Sequence, residues 1–213
     1  MDTIELITAK IQKIKKTDPE ISKNFPKLSA TINRIIFFPD NGDKNDLRDL
    51  IHKVLNQVIC YDIATTGRKD IIIFKAKNII TDKSGLLNRF PGLKNAAEKI
   101  VTYEGKDIKR EKEAYCFYKL KLDFDWGLKT LEKAKILNKE IELALSIKYD
   151  PRLKKLPKKE RDDLLKKIEA LANCQNQIEE KTIPSIEKRI EELNKLFLIN
   201  QLPLLEDWAK KTN

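Results

Sequence analysis

Apolar residues recur along this chain at two spacings, and each spacing predicts a different element. Ile4, Ile7, Ile11 and Ile14 fall at steps of three and four, which predicts a helix over 3–16. Lys10, Lys13, Lys15 and Lys16 crowd its other side and its last turn, where cations suit the helix dipole. A second apolar stretch, Leu28 to Phe38, ends at Pro39-Asp40-Asn41-Gly42, a turn signal. Over 45–60, Leu47, Leu50, Ile51, Val54, Leu55, Val58 and Ile59 make a wide helical stripe, with Asn45 or Asp46 placed to cap it. A stripe that broad has to pack on something, so this segment belongs to a core.

The middle of the chain follows the other spacing. Ile71-Ile72-Ile73-Phe74 is a β-branched run between Gly67 and charges, and Ile100-Val101-Thr102-Tyr103 is another. Tyr118, Leu120, Leu122, Phe124 and Trp126 alternate with Lys119, Lys121, Asp123 and Asp125, the period of a half-buried strand. A helical reading of 112–125 stays open, because Glu111, Glu113 and Ala114 favour helix. After Gly127 the spacing is helical again through Leu128, Leu131, Ala134, Ile141 and Leu145, until Asp150-Pro151 ends it.

A basic joint follows at 152–159 and contains Pro157. Leu164, Ile168, Leu171, Gln175 and Ile178 then space as a long helix. Pro184 interrupts the pattern, which resumes with Ile186, Ile190, Leu193 and Phe197. Leu202 to Trp208 reads as a short amphipathic tail. The expected fold is mainly α: a helical core with a small β-sheet (about 70–76, 99–104 and 117–126) and a C-terminal helical hairpin. The expected domains are a core over 1–150 that carries the β insertion and a coiled-coil-like segment over 151–213. No internal repeat of fixed period emerges from the spacing.

Composition sharpens this picture. Charged residues make up 36% of the 213 positions and glycines number only six, which favours long helices over a loop-rich β fold. The net charge of +10 attracts polyanions, and nucleic acid is the expected one. Three cysteines, Cys60, Cys116 and Cys174, lie far apart with no CxxC pair. They argue for a reducing compartment, and the expected location is cytoplasmic. The N-terminus has no apolar core of a secretory signal, and no apolar run reaches the length of a membrane span, so no membrane partner is expected.

Specific chemistry is sparse. His52, the one histidine, falls among Arg48, Asp49 and Lys53 on the polar side of its helix and reads as solvated. Neither GxxxxGK[ST] nor GxGxxG occurs, and the local Cys/His pairs of zinc modules are missing, so no metal or cofactor is expected. Ile100-Val101-Thr102-Tyr103-Glu104-Gly105-Lys106 ends an apolar run in Glu-x-Lys. It resembles the PD-(D/E)xK nuclease pattern, in which an Asp and a Glu on adjacent strands hold a divalent metal and the Lys orients water. By that resemblance Asp82 or Asp70, Glu104 and Lys106 would form the site. The competing reading is a solvated strand end that turns at Gly105.

Two basic clusters stand out. Arg152, Lys154, Lys155, Lys158, Lys159 and Arg161 fall within ten residues, and Lys106, Lys109, Arg110 and Lys112 make a second group. Such irregular lysines suit phosphate contacts, which need charge and reach more than fixed geometry. Tyr115, Phe117, Tyr118 and Trp126 follow the second group, and aromatics beside lysines can stack unpaired bases. The alternation instead assigns Tyr118 and Trp126 to a core face.

The functional expectation is a non-catalytic accessory subunit of a nucleoprotein complex. It would hold an RNA or DNA backbone through the two clusters and dock other protein subunits through apolar helix faces. This profile is similar in character to the small subunit of CRISPR interference complexes, though no defining residues carry the likeness. The alternatives are a helical scaffold module built on the C-terminal hairpin and the metal-dependent nuclease just described.

Overall fold

A computed structural model of the protein describes residues 3–39, 42–82 and 85–200, the first four of them by their helical backbone alone. The described residues hold nine α-helices, three 3₁₀ turns and no strand. The helices are α1 (Thr3–Thr17), α2 (Ile21–Asn24), α3 (Pro26–Ile36), α4 (Lys44–Thr65), α5 (Arg68–Ile80), α6 (Pro91–Val101), α7 (Glu111–Ile147), α8 (Lys158–Ala172) and α9 (Ile183–Ile199). No described helix is long and apolar enough to cross a membrane. The expected tail, Leu202 to Trp208, and Asp40-Asn41 of the expected turn lie outside the described residues.

The chain divides into two compact units, Met1–Asp82 with Asn95–Phe124 and Lys83–Lys94 with Asp125–Asn213. The joint at Asp150-Pro151 lies inside the second unit.

In the first unit, α1 packs on α3 and α4, α3 on α4, and α4 on α5. Ile7, Ile11 and Ile14 of α1 are buried, as are Leu28, Ile32 and Ile35 of α3 and Leu50, Ile51, Val54 and Val58 of α4. Each fully buried side chain of this size contributes roughly 1.5–3 kcal/mol by leaving water. Phe25 meets Tyr61 edge to face at 5.3 Å. Asp62 of α4 is a buried carboxylate held by Lys10 of α1, with Arg68 at 3.6 Å. The cap of α4 is Asp43, whose side chain accepts from the backbone N–H of Asn45, so the helix starts ahead of the expected Asn45 or Asp46.

The expected small sheet is absent: 70–76 lies in α5, most of 99–104 in the end of α6 and the turn after it, and 117–126 in α7. Gly67 (φ 69°) separates α4 from α5 in the left-handed conformation that glycine tolerates at no steric cost. Asp70 sits in the first turn of α5, and only Ile73 and Ala76 of its run are fully buried, one helical turn apart. In α7, Ala114, Phe117, Phe124, Ala134, Leu137, Ile141, Ala144 and Ile147 are buried, a stripe with helical steps. Leu122 and Trp126 are exposed, at 46% and 61%, so the alternation over 118–126 marks no shared face. Glu111 and Glu113 in the first turn suit the helix dipole.

In the second unit α8 and α9 pack together. Leu164, Ile168 and Leu171 of α8 and Ile183, Ile186, Ile190, Leu193 and Phe197 of α9 are buried. The helix expected to run to Ile178 stops at Ala172, and Pro184 stands in the first turn of α9, where its missing N–H costs nothing.

An order of elements recurs once along the chain. Helix α1, the short α2, then Phe25-Pro26-Lys27-Leu28 open the eleven-residue α3, and the long α4 follows. Helix α5, a 3₁₀ turn over Leu86–Arg89, then Phe90-Pro91-Gly92-Leu93 open the eleven-residue α6, and the long α7 follows. All four Phe and Leu anchors are buried. In both cases a distant glutamate caps the eleven-residue helix. Glu111 accepts from the N–H groups of Lys27 and Leu28 at 3.2 and 3.0 Å. Glu180 accepts from that of Gly92 at 3.1 Å.

Candidate nucleic-acid interface

The basic joint folds into a 3₁₀ turn, Pro151–Lys155, followed by Leu156, Pro157 and the start of α8. Asp150 caps this turn, accepting from the Arg152 N–H at 2.8 Å. Its two oxygens also receive the Arg152 guanidinium at 3.0 and 2.9 Å. The guanidinium holds the Asp150 carboxyl below the usual carboxylate range. Arg152 therefore serves the turn first, and Arg161 stands 4.0 Å from Asp162. Lys154, Lys155, Lys158 and Lys159 are different. All four are exposed, and none pairs with a carboxylate among the described residues.

Lys158 and Lys159 are the first two residues of α8, and Pro157 gives that helix no side-chain cap. Cations at the N-terminal end of a helix oppose its dipole, so the placement costs stability instead of adding it. Tyr149, beside the joint, is 82% exposed. Sequence spacing missed this residue; its signal was an aromatic ring next to Asp150-Pro151.

The second cluster does not stay together as a set of free charges. Lys109 pairs with Asp107 at 3.0 Å, and Lys106 lies 5.5 Å from the centre of the Tyr103 ring. Arg110 and Lys112 are exposed and carry no ion pair among the described residues. Of the neighbouring aromatics, Phe117 and Tyr118 are buried, and Tyr118 donates to Asn56 Oδ1 at 3.0 Å. Tyr115 is 48% exposed with Lys119 5.0 Å from its ring centre. Trp126 is exposed, against the core placement expected for it.

The residues of the nuclease-like pattern are not arranged as that pattern requires. Ile100 and Val101 end α6, Glu104 and Lys106 follow in a turn, and Asp70 begins α5. No pair of adjacent strands exists among the described residues to carry the acids. Glu104 is paired with Lys77, and Asp70 with Lys69 at 3.7 Å. Asp82 is exposed past the end of α5. Among the described residues no group of three or more His, Cys, Asp and Glu side chains converges to hold a metal. His52 is exposed on α4.

A separate feature of the first unit went unnoticed in the sequence. A cleft of about 630 Å³ opens between α3, α4 and the start of α7. It is lined by Lys27, Lys53, Asn56, Gln57, Cys60, Glu111, Lys112 and Tyr115. Gln57 Oε1 is buried and has no hydrogen-bond partner among the described residues. An acceptor left in that state costs about 1–3 kcal/mol. Burial and the Glu111 charge push the Cys60 thiol up to about 11.

No family model matches this chain, and no curated protein or solved structure matches it either.

Proposed function

We propose that this chain is a non-catalytic accessory protein that grips the phosphate backbone of a nucleic acid through the start of α8. The observation that carries the reading is the group Lys154, Lys155, Lys158 and Lys159: exposed, close in sequence, and without carboxylate partners among the described residues. Structural lysines usually sit where they relieve a helix dipole or meet an acid; none of these meets an acid among the described residues, and Lys158 and Lys159 oppose the dipole of α8. Phosphates answer both deficits, since they pair with the ammonium groups and suit the uncapped helix start. Tyr149 adds an exposed ring on which an unpaired base can stack. Nothing in this arrangement reads base edges, so the proposed binding follows charge and not sequence.

The test is a titration of a short duplex and a matching single strand over a range of salt. Four phosphate contacts give a slope of log affinity against log salt of about −3.6 on duplex DNA. Changing all four lysines to Gln is expected to remove most of it. A binding curve insensitive to salt, or unmoved by the fourfold variant, ends the proposal.

Docking of other subunits is the second half of the reading. Its support is the exposure of Ile71 and Phe74 on α5, at 58% and 64%, and of Leu198 and Ile199 at the end of α9. Large apolar side chains grouped on helix faces suit protein contacts.

A further inference from the structure

We propose that the cleft of the first unit binds a nucleotide, with its base against Tyr115 and the Asn56–Gln57 amides and its phosphate among Lys27, Lys53 and Lys112. This inference does not depend on the α8 lysines, which belong to the other unit.

The cleft begins in sequence spacing. Lys53, Asn56, Gln57 and Cys60 fall at i, i+3, i+4 and i+7 of α4, so they share one face. Lys112 and Tyr115 do the same on α7. Packing brings those faces to one cavity of about 630 Å³, inside the range of about 300–1,000 Å³ that small-molecule sites occupy.

Its polar groups are incomplete in a particular way. Asn56 Oδ1 is already engaged by the Tyr118 hydroxyl, which leaves the amide nitrogen of Asn56 as the donor it can offer. Gln57 supplies the reverse, an acceptor with no donor that is closed to solvent, so a ligand has to turn the Gln57 amide outward to use it. A donor and an acceptor on adjacent side chains match the edge of a nucleobase, where donor and acceptor positions also lie side by side. Tyr115 supplies a half-exposed aromatic surface. Lys119 stands near one face of that ring, and the proposal uses the face it leaves open.

The charge balance favours a phosphate. Lys27, Lys53 and Lys112 are exposed and form no ion pair among the described residues. The one carboxylate in the lining, Glu111, spends both oxygens on the N–H groups of Lys27 and Leu28. Cys60 stays a neutral thiol at physiological pH, because burial and Glu111 raise it. The lining thus carries three ammonium groups against one carboxylate.

The experiment is equilibrium dialysis of the full chain against adenosine monophosphate, uridine monophosphate and ribose 5-phosphate at about 0.15 M salt. The nucleotides are expected to bind about tenfold tighter than ribose 5-phosphate, the worth of one stacked ring. Gln57→Met and Tyr115→Leu are each expected to erase most of that preference and to leave the weak sugar-phosphate binding in place. Gln57→Met keeps the test open if Tyr115→Leu fails to fold, which circular dichroism reports. A further arm compares pentaadenylate with adenosine monophosphate on the variant in which Lys154, Lys155, Lys158 and Lys159 are changed to Gln, so that those lysines hold no strand. Tighter binding of the oligomer assigns the site to a nucleotide within a strand, and equal or weaker binding assigns it to a free nucleotide. Equal affinity for ribose 5-phosphate and the nucleotides, or no binding of any of the three at about 10 mM, well above the common range of small-molecule affinities, overturns the proposal.

Discussion

The carboxylate of Glu111 accepts the backbone N–H of Leu28 at 3.0 Å across 83 positions of sequence. One side chain therefore caps α3 and begins α7 at once. Removing it leaves two helix N–H groups without their acceptor. Glu111→Ala is expected to cost about 1 kcal/mol, as loss of a good cap does, and Glu111→Gln less, because an amide oxygen still accepts. Glu180→Ala, which uncaps Gly92, is expected to cost a similar amount. Urea unfolding midpoints check both, and an unchanged midpoint for Glu111→Ala would remove the capping role.

Gly127 of α7 is expected to resist alanine, against ordinary helix propensity. A Cβ built there would meet Leu93 Cβ at 2.8 Å and Leu93 Cα at 3.0 Å. Propensity alone would favour alanine by about 1 kcal/mol. Overpacking against a backbone that cannot swing aside costs about 1–3 kcal/mol, so the sign reverses. A thermal melt decides: a higher midpoint for Gly127→Ala would contradict this contact.

The cysteines are expected to separate by reactivity. Cys116 is exposed, while Cys60 is buried with a thiol raised to about 11. Iodoacetamide at pH 8 should modify Cys116 in the native protein and Cys60 only after denaturation. A raised thiol pKa in the folded state stabilises the fold at pH values below the unfolded thiol range. That contribution is lost as pH rises from there through about 11. Cys60→Ala should flatten this alkaline decline, read as the unfolding midpoint against pH.

Asp150 is expected to act at the other end of the scale. Its carboxyl is lowered by the Arg152 guanidinium, so its contribution is present above the ordinary carboxylate pKa and fades as pH falls through the lowered one. Asp150→Asn keeps the cap oxygen and loses the charge. The native protein should therefore exceed this variant in stability at neutral pH, and the two should converge in acid. A gap that persists in acid once the Asp150 carboxyl is protonated would contradict the pairing, since both forms are then uncharged.

The helical stripes of α1, α4 and α9 were legible because burial there follows a single face over several turns. The middle of the chain was not, and Tyr118 to Trp126 shows why. Five apolar residues at alternate positions imitate a strand over a nine-residue window. Their neighbours Ala114, Phe117, Ala134 and Leu137 reveal the helix only when the window is widened. Pro184 misled for a different reason: proline ends a helix but also suits its first turn. The recurring Phe-Pro-x-Leu was visible in the letters, yet its meaning rests on Glu111 and Glu180, which lie far away in sequence. The lysine run of 152–161 was found, but not that Arg152 would be spent on Asp150. Gln57 carried no signal at all, since an orphaned acceptor is a property of packing and not of spacing.

Lys158 and Lys159 at the uncapped start of α8 make the solvent a participant. Two like charges face the positive pole of a helix, and a small multivalent anion dissolved nearby will relieve them. Sulfate and phosphate buffers are thus competitors and stabilisers together: they should raise the melting temperature more than chloride of equal ionic strength, and weaken any polyanion measured in their presence.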